Sequence, residues 1–158
     1  MKTAFCAAAF GALMLAGCAP TGGPVASAPA EPSRAELSPH GALNERIAYY
    51  ARLHDVPESL IHRSIRRESG YNPAARNGPY WGLMQIRYDT AQGMGYRGSP
   101  SGLLDADTNL AYAVPYLANA YHVGGRNESR AISLYAGGYY YEAKRKGMLG
   151  ELQKARAE

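Results

Sequence analysis

Arg67-Glu68-Ser69-Gly70-Tyr71-Asn72-Pro73 closes one amphipathic segment and opens a turn. Ile61 and Ile65 stand seven and three positions before Glu68, which puts all three on one helix face. Arg63, Arg66 and Arg67 fall mostly on the other side. A glutamate on a core-facing stripe is costly to bury in its charged form, so it must either pair or hold a proton. Ser69-Gly70 then ends the helix, and Asn72-Pro73 cannot continue it.

The same helical period extends in both directions. Leu43, Ile47 and Tyr50 recur at intervals of four and three, predicting a helix from about Leu43 to His54. Pro57 fits the first turn of the next helix, with Glu58 favourable at its positive end. Residues 70–81 read as irregular, and Gly82-Leu83-Met84-Gln85-Ile86 follows. A short helix is expected around 88–95, starting near Asp89 or Thr90 and ending at Gly93 and Gly95. Leu110, Val114, Leu117 and Tyr121 mark a helix from about 107 to 122 with an aspartate cap, kinked by Pro115. Asp89, Asp105 and Asp107 are all read as helix caps. Another helix starts near Asn127 or Glu128 and carries Ile132 and Tyr135 to Gly137-Gly138. A last portion covers 139–146, with a weak terminal turn or helix over 148–156. No strand alternation of useful length and no repeat is found. The expected fold class is all-α, or predominantly α.

Composition narrows the function. The chain has 158 residues, 46% apolar and 19% charged, with a net charge of +4. That suits one globular domain with an acidic partner such as a cell-wall polymer. Zinc-finger spacing, RNA-binding aromatic motifs and long basic runs are missing, so nucleic acid is not expected as a partner. The two cysteines are Cys6 and Cys18, and the four histidines are dispersed, so no metal or cofactor is expected. Residues 1–17 carry Lys2 and then an uncharged apolar run, too short to span a membrane and suited to a signal segment. Its end, Leu15-Ala16-Gly17-Cys18, resembles the lipobox of bacterial lipoproteins. That resemblance implies cleavage before Cys18 and lipidation of it, hence a bilayer anchor. Ala19 after the cysteine implies, by the same analogy, the periplasmic side of the outer membrane. Residues 18–40 hold five of the ten prolines and read as a linker reaching on the order of 60–70 Å if extended. Residues 41–158 are the folded domain. Without residues 1–17 this chain has thirteen tyrosines, one tryptophan and no phenylalanine. Tyrosine, an apolar ring with a hydroxyl, suits a groove facing sugars, although most of these rings are expected in the core.

Glu68-Ser69-Gly70-Tyr71-Asn72-Pro73, Gly82-Leu83-Met84-Gln85-Ile86, Leu103-Leu104-Asp105 through Asn109, and Tyr116-Leu117 together resemble the catalytic domain of soluble-type lytic transglycosylases, of the goose-lysozyme-like group. The resemblance covers roughly 43–146. It implies a lysozyme-like helical domain with a glycan-binding groove. It also implies non-hydrolytic cleavage of the β-1,4 bond between N-acetylmuramic acid and N-acetylglucosamine in peptidoglycan. Glu68 matches the catalytic acid, which then acts as base toward the C6 hydroxyl of the same sugar and gives a 1,6-anhydro end. Ser69 matches a serine that hydrogen-bonds substrate, although helix termination explains it too. Gln85 matches a groove glutamine, and its amide offers both donor and acceptor. Met84 reads as an adaptable apolar wall or as core, and Trp81 and Tyr80 as groove wall or core. Tyr135 matches the tyrosine of an Ala-Tyr-Asn motif, but Ala136 replaces the asparagine.

The expected partners are peptidoglycan glycan strands and, through Cys18, a lipid bilayer. The oligomeric state is left open, with a monomer expected. Ordinary glycosidases use two carboxylates. Glu142 lies in the last helix and matches no motif, so one dedicated carboxylate is expected. Lys144-Arg145-Lys146 reads either as a cationic groove edge or as a solvated helix C-terminus. Two rival functions stay open: a muramidase using water on the same bond, and a non-enzymatic wall-binding lipoprotein.

Overall fold

The computed structural model describes residues 39–155. The signal segment, Cys18 and all of the linker before Pro39 lie outside the described residues. The described chain is mostly helical, as expected. Its helices are α1 (Pro39–His54), α2 (Glu58–Glu68), α3 (Tyr88–Gly93), α4 (Ala106–Val123), α5 (Glu128–Gly137) and α6 (Tyr140–Arg145), with 3-10 turns at Pro100–Leu104 and Leu149–Glu151. Among the described residues no helix is long and apolar enough to cross a membrane.

α4 is the central helix. Leu110, Ala113, Val114, Leu117, Ala118, Ala120 and Val123 are all buried along it, and α1 and α5 pack against it. A helix apolar around so much of its circumference has to lie inside the domain. Asp105 caps it by accepting from the Thr108 N–H at 2.8 Å. The helix runs through the buried Pro115 without a break. α2 presents Leu60, Ile61, Ser64 and Ile65 to the core. Glu68 continues that stripe by three from Ile65 and four from Ser64, and emerges where the helix ends. Asn127 caps α5 through the Arg130 N–H at 2.9 Å.

Several local expectations need correction. Pro57 is the N-cap of α2, extended at φ −61° and ψ 134°, rather than part of its first turn. Asp107 caps nothing; its carboxylate takes the Arg46 guanidinium, with Nη2 to Oδ2 at 2.9 Å, and so ties α4 to α1. Asp89 sits inside α3, paired with Arg87 at 2.7 Å. Residues 70–81, expected to be irregular, contain two of the three strands of a small antiparallel sheet: β1 (Arg76–Asn77), β2 (Tyr80–Trp81) and β3 (Ile86–Arg87). Arg76 faces Trp81 and Asn77 faces Tyr80; Tyr80 in turn faces Arg87 and Trp81 faces Ile86. Strands of two residues are too short to leave a period-two pattern in the sequence.

The turn between β2 and β3 is fastened to α4 by one side chain. Asn109 is wholly buried. Its Oδ1 accepts the Met84 N–H at 2.9 Å, and its Nδ2 donates to the Trp81 carbonyl at 2.8 Å and the Leu103 carbonyl at 2.9 Å. Gly82 is needed beside it: its φ is +71°, and a Cβ there would lie 2.2 Å from the Leu103 oxygen and 2.3 Å from Asn109 Nδ2. Replacing Asn109 with alanine leaves three backbone groups without partners. We expect Asn109→Ala to lose about 3 kcal/mol in urea unfolding; a loss below about 1 kcal/mol would show that water replaces the amide.

Candidate active site

Glu68 is the last residue of α2, and its side chain is 22% exposed. The chain turns sharply after it, with Gly70 at φ +59° and Tyr71 at φ +67°. The left-handed tyrosine is secured by its hydroxyl, 2.8 Å from His62 Nδ1. Among the described residues nothing hydrogen-bonds to the Glu68 carboxylate, and its nearest cation is Arg67, Nε 3.6 Å away. Burial pushes the Glu68 carboxyl above the usual carboxylate range, and the Arg67 charge opposes that only in part. Burial thus outweighs the loose pairing with Arg67 and shifts this glutamate toward its protonated form.

Gln85 faces Glu68 from the loop that Asn109 holds. Its backbone is left-handed at φ +46°, unusual for a residue with a side chain. Two bonds from Nε2 fix it there, to the Gly82 carbonyl at 2.9 Å and the Ala75 carbonyl at 3.1 Å. With both amide hydrogens used, Oε1 is the atom left to receive a donor.

Tyr135 comes from α5. Its hydroxyl donates to the Met84 carbonyl at 2.8 Å, which joins α5 to the same loop. Burial raises its phenol well above the ordinary value, and the nearby Glu68 charge raises it further, so it stays protonated and remains a donor. Tyr116 packs edge-on against it, with ring centroids 5.4 Å apart.

These residues line one cleft. A cavity of about 230 Å³ is bounded by Arg67, Glu68, Asn77, Tyr80, Gln85, Tyr135 and Ala136. A second, of about 250 Å³, shares Tyr80, Gln85, Tyr135 and Ala136, and continues past Thr90 and Tyr116 to Gly137 and Gly138. The two cavities share a wall and together form one open cleft along these residues.

The sequence-predicted residues divide accordingly. Glu68, Gln85 and Tyr135 meet at the cleft. Met84 does not line it: its side chain is fully buried, and it serves the site through its backbone. Trp81 lies on the opposite side of β2 from Tyr80, beside a separate depression with Pro79 and Tyr88, and Arg76 stacks over its ring at 4.2 Å. Ser69 bonds back to the Ile65 carbonyl through its hydroxyl at 3.3 Å and is not among the residues bounding the cleft. Ala136 lies on the shared boundary of both cavities. Sequence reasoning missed the anchoring role of Asn109 and the lining roles of Asn77, Thr90 and Tyr116. The available signal for Asn109 was an amide directly before the apolar stripe of α4. Glu142 is remote from this chemistry in kind: Arg130, Arg145 and Lys146 hold its carboxylate down to about 2.

The family model for the transglycosylase SLT domain matches residues 45–156, nearly all of the described chain. Comparison with curated proteins and with solved structures gives no match. The helical architecture around a cleft agrees with the mostly helical, lysozyme-like fold of that domain. The chain belongs to the transglycosylase SLT domain family and has its general activity, cleavage of peptidoglycan.

Proposed function

We propose that this enzyme cleaves the β-1,4 bond between N-acetylmuramic acid and N-acetylglucosamine without water, and that Glu68 is both acid and base. The observation that carries the reading is that Glu68 is the one carboxylate lining the cleft among the described residues. A retaining glycosidase needs a second carboxylate about 5–5.5 Å from the first, and an inverting one about 6.5–9.5 Å. Three aspartates elsewhere in the domain have different tasks: Asp105 caps α4, Asp107 holds Arg46, and Asp89 holds Arg87.

In this reading protonated Glu68 gives its proton to the glycosidic oxygen as the C1–oxygen bond breaks. The leaving sugar departs as an alcohol, and Glu68 becomes a carboxylate. That carboxylate takes the proton of the C6 hydroxyl as its oxygen closes on C1, restoring the acid and giving a 1,6-anhydro end. The substrate supplies the nucleophile, so no second carboxylate and no water are consumed. Gln85 Oε1 and the Tyr80 ring are placed to receive the sugars. We also propose that lipidated Cys18 anchors the enzyme to the outer membrane on its periplasmic side. The apolar run and the box ending at Cys18 support that anchor, and the proline-rich linker would let the domain reach the wall.

Glu68→Gln should fold and lower turnover by at least about 10³-fold, consistent with loss of a general acid; near-normal activity would reject the assignment. The same change should raise thermal stability at neutral pH. A raised carboxyl disfavours the ionised native state, so the gain should shrink as pH falls through the ordinary carboxyl range. Removing the Arg67 charge should raise the Glu68 carboxyl further. Arg67→Met should therefore move the alkaline limb of kcat/KM to higher pH; an unmoved or lowered limb would mean that another group controls it. Mass analysis of digested peptidoglycan should find anhydro ends, whereas reducing ends would make the enzyme a muramidase.

A further inference from the structure

Gly137 and Gly138 line the cleft where the chain leaves α5. Gly138, at φ +84° and ψ 142°, swings it directly into α6. The first turn of that helix carries two aromatic side chains that the core does not use. Tyr140 is 54% exposed and Tyr141 83% exposed, and their rings meet edge to face with centroids 5.4 Å apart. Tyr139, just before them, is buried and bonded to Asn119 at 3.0 Å, so the outward direction of its two neighbours is fixed by packing.

The charges around this pair are unevenly committed. Glu142 gathers Arg130, Arg145 and Lys146. Lys144 is exposed and has no ion pair among the described residues. It lies four residues after Tyr140 and three after Tyr141, on the same helix face. A pair of exposed rings with one uncommitted ammonium therefore stands on the helix that begins two residues after the cleft-lining Gly138.

We infer that Tyr140, Tyr141 and Lys144 form an outer subsite that holds a long glycan strand where it leaves the cleft, with Lys144 meeting a stem-peptide carboxylate. This rests on the reading of the cleft as the peptidoglycan site. Tyrosine rings present a flat apolar face to the C–H face of a sugar and a hydroxyl to its edge. A bilayer surface fits less well: lipid-reading patches gather roughly four to eight cations, and only Lys144 is uncommitted here. The consequence is a preference for long, peptide-bearing strands over short fragments.

The test uses the full chain carrying Glu68→Gln, so that bound glycan is not cut. Its affinity is compared for a tetrasaccharide, for long peptide-free strands and for the same strands with stem peptides. Adding Tyr140→Ala and Tyr141→Ala should weaken long strands about five- to tenfold and leave the tetrasaccharide within about twofold. Adding Lys144→Ala instead should weaken only the peptide-bearing strands, by about threefold. Equal losses on short and long glycan, or no loss on either, would overturn the subsite. So would loss of binding to phosphatidylglycerol vesicles with strand affinity unchanged, which would make the patch a membrane surface. A parent chain that binds no glycan of any length would instead overturn the reading of the cleft, and this inference with it.

Discussion

The site depends on a buried amide. Asn109 uses both ends of its side chain to hold the Trp81–Met84 backbone and the Leu103 carbonyl against α4. Unpaired backbone groups in such a place would be strongly unfavourable, so the loop has essentially one arrangement. That arrangement forces Gly82 into a left-handed conformation with no room for a Cβ, and puts Gln85 into another, with its amide hydrogens spent on the loop itself. The Met84 carbonyl is then presented to the Tyr135 hydroxyl, which couples α5 to the same point. Three elements distant in sequence are thereby brought around the end of α2.

The chemistry follows from what this frame does to Glu68. A carboxyl at a helix end would ordinarily be solvated and ionised. Here the apolar stripe of α2 withdraws it from water, and its one close cation is too far and too exposed to reverse the effect. The contrast with Glu142 is informative. Three cations hold Glu142 ionised, which makes it a structural clasp between α5 and α6 and unsuited to donate a proton near neutral pH. One chain thus shifts two glutamates in opposite directions, Glu68 up and Glu142 down, through environment alone.

Much of this was legible in the sequence, for reasons that can be named. The end of α2, the course of α4 and the start of α5 follow from helical period, from the Asp105 and Asn127 caps and from the glycine stops, all of which act locally. Glu68, Gln85 and Tyr135 were found through motif resemblance, and the structure brings the three together. The small sheet was not legible, because two-residue strands have no period and are set by pairing across turns. Asp107 was misread because a carboxylate at a helix start serves a cap or a distant arginine equally well, and Arg46 lies 61 residues away. Met84 and Trp81 were ambiguous because the side of the hairpin on which each falls depends on that unseen register.

Withdrawal from water in the cleft raises the Glu68 carboxyl above its ordinary value. Carbon-13 NMR titration of the glutamate side-chain carboxyls measures this directly, with the Glu68 resonance identified by its absence in Glu68→Gln. Glu68 should titrate above the ordinary glutamate value of about 4.3. Titration at or below that value would contradict this, because burial would then not favour the protonated form that the acid step needs.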